Sequence, residues 1–137
     1  MPTFQSPPPA CDGCTIEFPA PFVILLTISR EKRMNSIPYQ LHWQIDALLK
    51  WCDIEPSVRV IVVTGAGKKS FCVGSDLLEM EQVKFSDGGT KLQNEPWRYR
   101  HPDSGFAGIS RRKGKKPIIA AVNGLALGGG FEIVLNW

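Results

Sequence analysis

KPIIAAVNGLALGGGFEIVLNW, residues 116–137, decides the fold class. Lys116-Pro117 introduces IIAAV, a short apolar run that reads as a strand. Gly124 to Gly130 is a glycine-rich turn, and Phe131 onward reads as the first turns of a helix. The same order recurs upstream. Phe22 to Ile28 (FVILLTI) and Val58 to Thr64 (VRVIVVT) are continuous β-branched and apolar runs, which predict strands buried on both faces. Between them Leu41, Ile45, Leu48, Leu49 and Cys52 recur at helical spacing. This predicts an amphipathic helix over 37–52, with Ser36 as its cap and Pro38 in its first turn. A further helix is expected over Ser75 to Val83. Strands that alternate with helices make an α/β sheet with crossover connections.

The remaining segments frame this unit. Residues 1–21 hold six prolines and read as a mobile tail, with a short strand beginning near Ile16; the domain proper runs over 22–137. Residues 84–116 lack sustained periodicity and read as a long surface excursion. The last helix is apolar nearly all round, a pattern that belongs inside a larger protein. It stops at Trp137 with no C-cap, so the expectation is a domain cut short. Expressed alone, such a chain is expected to be inactive and prone to aggregate.

The composition is that of a globular chain: 137 residues, 43% hydrophobic and 21% charged. The formal charge of +3 suits an anionic small ligand without demanding nucleic acid. No run approaches the ~18–20 apolar residues of a membrane span, and no secretory or transit signal is expected at the start. The cysteines at 11, 14, 52 and 72 form neither a disulfide framework nor a zinc-ligand pattern. No metal is expected.

Two glycine-bearing turns can carry chemistry. In FCVGSDL, Gly74 lets main chain approach a ligand. Ser75 then begins a helix, where its N–H has no intrahelical partner and can bind an oxygen that becomes negative. An ordinary strand-to-helix turn with a serine cap accounts for the same residues. In NGLALGGGFE, three glycines open a helix and offer a second set of N–H groups, with Glu132 in the first turn beside an apolar patch. Glu132 is a candidate general acid/base, or an acidic residue that favours the helix dipole. GAGKKS lacks the earlier glycine of a P-loop, GGGFEI does not complete GxGxxG, and no serine sits in GxSxG. His42 and His101 have no partner at metal-ligand spacing and read as incidental. RRKGKK at 111–116 reads as a solvated loop or an anion contact.

Three stretches together resemble the crotonase superfamily of enoyl-CoA hydratases and isomerases. They are ISREKRMNS, VIVVTGAGKKSFCVGSDLLEM and KPIIAAVNGLALGGGFEIVLNW, in that order. The resemblance implies a spiral of strand-strand-helix units, truncated before its C-terminal half. It implies that Ser75 and Gly129 are the two oxyanion N–H donors and Glu132 the first catalytic glutamate. Val73, Gly74, Ser75, Asp76, Leu77, Leu78, Gly128 and Gly129 would line the thioester and acyl channel. Lys32, Arg33 and Met34 would meet the adenine or pantetheine of coenzyme A. The implied reaction is reversible hydration of a 2-enoyl-CoA, with enoyl-CoA isomerase or a non-catalytic remnant as alternatives. A second glutamate would fall beyond residue 137. No cofactor is implied, coenzyme A being part of the substrate. The implied setting is fatty acid metabolism in the peroxisome or cytoplasm, in a whole protein that forms a homotrimer or hexamer.

Overall fold

The structure is a computed structural model that describes residues 3–85 and 101–135. Its elements follow one another as strand, strand, helix, three times over. The first unit is β1 (Cys14–Ala20), β2 (Val23–Ile28) and α1 (Tyr39–Ile54); the second is β3 (Val60–Gly65), β4 (Ser70–Cys72) and α2 (Leu77–Phe85). The third is β5 (Ile118–Ala121), β6 (Leu125–Ala126) and α3 (Gly129–Leu135). The expected strand-strand-helix spiral is therefore present, although no sequence repeat announces it.

The long strands and the short strands pair separately. One sheet has the order β1-β2-β3-β5, and the other pairs β4 with β6. β2, β3 and β5 are parallel, as crossover connections require, with Val23 opposite Val60 and Ile61 opposite Ile118. β2, β3 and β5 thus send the chain out at the same end of the sheet, where β4 and β6 begin. Their pairing brings the turn after β4 beside the turn after β6.

β2 and β3 are fully buried on one face only. Ile24, Leu26, Ile28, Ile61 and Val63 face α1, whereas Val23, Leu25, Val60 and Val62 are half-buried. The expectation of burial on both faces is not met among the described residues, where the second face is only half-buried. The core closes with Leu41, Ile45, Leu48, Leu49 and Cys52 from α1, Phe71 from β4 and Ile133 from α3. α1 starts at Tyr39 rather than at 37, and Ser36 does not cap it. Its first N–H donates instead to Glu79 Oε1 of α2 at 2.7 Å, so a carboxylate from another unit meets the positive helix end. At its other end Lys116 Nζ donates to the carbonyls of Cys52 and Glu55, and Arg112 pairs with Asp53. One cation of the basic run thereby satisfies carbonyls at a helix C-terminus and a second pairs with a carboxylate of its last turn, so the run is not simply a solvated loop.

Two further expectations change. The boundary at residue 21 is not one, because Cys14–Ala20 pairs antiparallel with β2 in the main sheet. Residues before it are anchored as well: Phe4 packs between Phe18 and Trp51, and Trp51 Nε1 donates to Ser6. The excursion over 84–116 is not wholly superficial. Phe106, Ala107 and Ile109 are buried against α1, while residues 86–100 lie outside the described part.

Candidate active site

Gly74 and the glycines after β6 form one wall. The turn at Gly74 needs φ +100°, and the turn at Gly128 needs φ +54°, both backbone regions that favour glycine. A Cβ on Gly74 would lie 3.2 Å from Leu127 O and 3.3 Å from Gly129 N, so the two turns touch. Ser75 does not begin a helix, contrary to expectation. It sits in a parallel bridge with Ile37: Ile37 N–H donates to Gly74 O (2.8 Å) and Asp76 N–H donates to Ile37 O (3.2 Å). Alternation along an extended segment turns the Ser75 N–H the opposite way. Gly129 is the first residue of α3, whose leading N–H groups have no intrahelical acceptor. Among the described residues neither N–H donates to a protein acceptor.

Ser75, Gly129 and Glu132 line one pocket of about 370 Å³, together with His101, Ser110 and Arg111. The convergence of the three expected catalytic positions is a finding of geometry, since they come from two separate units of the spiral. Glu132 is exposed, so the apolar shielding expected for it is absent among the described residues. Gly129 packs against Phe106; a Cβ there would lie 2.3 Å from the ring.

His101, Ser110 and Arg111 were not legible as site residues, because the segment around them has no periodicity or motif. The His101 ring lies 4.4 Å from the ring of His42 and 5.6 Å, edge-on, from Phe106. His42 is fully buried, and its Nδ1 accepts the Ala107 N–H at 2.8 Å, which places its proton on Nε2. Burial, then the neighbouring His101, push His42 down to about 3, so it stays neutral. It stands behind His101, outside the pocket lining, and so is not simply incidental.

Asp76 serves structure here. Its Oδ1 accepts the N–H groups of Leu78 and Glu79, capping α2, and its Oδ2 pairs with Arg30 at 3.1 Å. Burial pushes its carboxyl up, but Arg30 and the cap bonds outweigh this and hold it below the usual carboxylate range. Asp76→Ala is expected to cost ~0.5–2 kcal/mol, the range for a lost N-cap. Because the folded value is lowered, the stabilisation is full above the unfolded value of about 3.9 and is lost as pH falls through the folded value. Urea midpoints of the two proteins should therefore differ most at pH 7 and draw together as pH falls below the carboxylate range; a gap independent of pH would refute the assignment. Leu77 and Leu78 are exposed, and neither they nor Val73, Gly74, Asp76 and Gly128 are among the residues that line this pocket.

The other expected group lies in a separate depression. Lys32, Met34 and Asn35 line it with Gly67, Lys68 and Lys69, and Arg33 lines an adjoining one with Lys32. Asn35 ties the two loops together: its Oδ1 accepts Arg30 N–H, and its Nδ2 donates to Ala66 O and Ser70 O. Asn123 repeats the device from just after β5, accepting Gly65 N–H and donating to Gly67 O and Ser70 O. Three lysines against the one carboxylate of Glu31 leave this depression positive. Among the described residues no three His, Cys, Asp or Glu side chains converge as metal ligands, and no helix is long and apolar enough to cross a membrane.

Comparison with known proteins agrees with this layout. The family model described as enoyl-CoA hydratase/isomerase matches residues 21–136. A mevalonyl-coenzyme A hydratase of Beauveria bassiana is 49% identical over 97% of this chain and 47% of its own length. A mevalonyl-coenzyme A hydratase of Aspergillus fumigatus is 42% identical over 93% of this chain and 44% of its own. Among solved structures, a carnitinyl-CoA hydratase from Mycobacterium avium superposes with a TM-score of 0.74 at 35% identity, over 90% of this chain and 43% of that one. The chain thus spans about half the length of the curated relatives it matches. With the family model running from β2 through α3, the chain belongs to the enoyl-CoA hydratase/isomerase family.

Proposed function

We propose that these residues form the thioester-binding and proton-handling part of an enoyl-CoA hydratase site. The observation that carries the reading is the convergence of Ser75, Gly129 and Glu132 on one pocket. The two N–H groups would hold the thioester carbonyl oxygen. As the oxygen of water bonds to Cβ, Glu132 accepts the proton that water gives up, and the π pair moves toward the carbonyl. The enolate oxygen so formed is where two fixed donors stabilise most. Delivery to Cα of the proton that Glu132 has taken up completes the addition, one water being added in all, and dehydration runs the same steps backwards. Side chain, water and substrate supply every atom, so the reaction calls for no separate cofactor. The lysine-lined depression would take the phosphates of coenzyme A. The family resemblance supports a peroxisomal or cytoplasmic setting and a trimeric or hexameric whole protein.

Binding tests this directly. In equilibrium dialysis the chain is expected to retain crotonyl-CoA more tightly than free coenzyme A, because only the thioester has an oxygen for the two donors. Gly129→Pro deletes one donor and should shrink that preference by about tenfold, the equivalent of one hydrogen bond to a charged or polarised oxygen. The proline ring also presses on Phe106, so the ratio between the two ligands, rather than either affinity alone, reads the lost N–H. Equal retention of both ligands by the unaltered chain would defeat the proposal.

A further inference from the structure

The stretch CDGC, residues 11–14, leads into β1, and the fold makes a turn of it. Cys14 N–H donates to Cys11 O at 3.2 Å, closing a β-turn with Asp12 and Gly13 at its centre. The ends of such a turn lie within ~7 Å of each other between Cα atoms, close to the ~4.4–6.8 Å that a disulfide spans. The side chains meet as well, the Cys14 thiol being hydrogen-bonded to Cys11. The cysteine spacing carries no disulfide framework, yet the turn brings this one pair together.

Contacts that involve neither sulfur hold the turn in place. Asp12 N–H donates to Gln44 Oε1 at 3.1 Å, and Gln44 Nε2 donates to Asp12 Oδ2 at 2.9 Å. On the other side Ser29 N–H donates to Gly13 O at 2.8 Å. Gly13 lies against α1, where a Cβ would be 2.7 Å from Leu41 Cδ2. The two thiols are thus set side by side before any bond joins them, which raises their effective concentration toward each other. Both are half-buried and can be reached from solvent, whereas Cys52 and Cys72 are fully buried. Burial pushes the Cys52 thiol up to about 12 and the Cys72 thiol up to about 11, which leaves both inert.

We propose that Cys11 and Cys14 form a reversible thiol–disulfide site whose co-substrate is a small disulfide such as oxidised glutathione. The hydrogen bond to Cys11, then burial, keep the proton on Cys14, so Cys11 is the attacking sulfur. As a thiolate it bonds to one sulfur of glutathione disulfide and expels the other half as a thiolate. That thiolate takes the Cys14 proton. The Cys14 sulfur then bonds to the Cys11 sulfur and expels the second glutathione, which picks up the proton that Cys11 gave to water. The cysteine pair is oxidised, and one glutathione disulfide is reduced to its thiols. The new bond clips the turn at the first residue pair of the main sheet, Cys14 opposite Ile28. The site stands apart from the thioester reading and does not rest on it.

The full 137-residue chain is equilibrated in glutathione buffers of graded disulfide-to-thiol ratio, quenched with acid, alkylated under denaturing conditions and digested. Peptide masses then read the state of each cysteine. Cys11 and Cys14 are expected to lose alkylation together, their shared peptide being lighter by the hydrogens lost, while Cys52 and Cys72 stay alkylated. The midpoint should come at a disulfide-to-thiol ratio about tenfold or more lower than for the same chain in urea, where the turn is gone. Cys14→Ser should stop the exchange after its first step and leave glutathione on Cys11. Equal midpoints in buffer and in urea, glutathione retained on the unaltered pair, oxidation that spreads equally to Cys52 and Cys72, or an unmodified Cys11 in Cys14→Ser would each overturn the proposal.

Discussion

Gly130→Ala is expected to lower the stability of the chain by ~3 kcal/mol or more and to abolish thioester binding, at the upper end of what overpacking costs. A Cβ at this buried position would lie 2.0 Å from Cys72 O and 2.7 Å from Cys72 C. Those are main-chain atoms of β4, so no rotamer change relieves the collision. Either α3 or β4 must move, and between them they carry Gly129, Glu132 and the turn to Ser75. Gly128→Ala provides the contrast. Space is open there, its nearest neighbour being Val73 O at 3.9 Å, and only the φ of +54° is unfavourable. That substitution should cost ~1–2 kcal/mol, the strain of one left-handed residue. Urea unfolding of the three proteins gives the comparison. If Gly130→Ala unfolds with the unaltered chain, the close approach of α3 to β4 is not real.

Glu132→Gln is expected to slow hydration of crotonyl-CoA by the whole protein by ~10²–10⁴, the worth of one positioned general acid/base. The amide keeps the size and most hydrogen bonds of the carboxylate but cannot accept the proton of water. Stability should change little, by up to ~0.3–1 kcal/mol if the carboxylate favours the start of α3, since the side chain is exposed. The loss should fall on kcat rather than on thioester affinity, because the donors at Ser75 and Gly129 are main-chain groups. Turnover within twofold of the parent would leave Glu132 as a residue of the helix end alone.

How far the chain was legible follows the physics of each element. β2, β3 and α1 declare themselves, because a long apolar run or a sustained helical spacing is compatible with little else than a buried strand or an amphipathic helix. β4 and β6 do not: three and two residues, set between glycine-rich turns, are too short to show a period. Yet that small sheet joins the two site turns. The position of Ser75 was readable and its environment was not. Its N–H is released by an isolated bridge to Ile37, a tertiary contact, rather than by a helix start. Asp76 took the cap because its carboxylate reaches two N–H groups and Arg30 at once. His101 and Arg111 were missed because they reach the pocket only through the burial of Phe106 and Ala107 beneath α1.

The parallel order of β2, β3 and β5 also governs how the chain acquires its shape. β1 and β2 can meet across a tight turn as soon as both exist. Every other strand contact in the main sheet joins distant residues, Ile24 with Ile61 and Ile61 with Ile118. Closing such loops costs entropy before any pairing compensates it, which places the chain among slow-folding topologies. The binding pocket draws on α3 and on the segment around Phe106, both late in the sequence. On a ribosome, therefore, the hairpin and α1 emerge and can collapse before the residues of the site are all present.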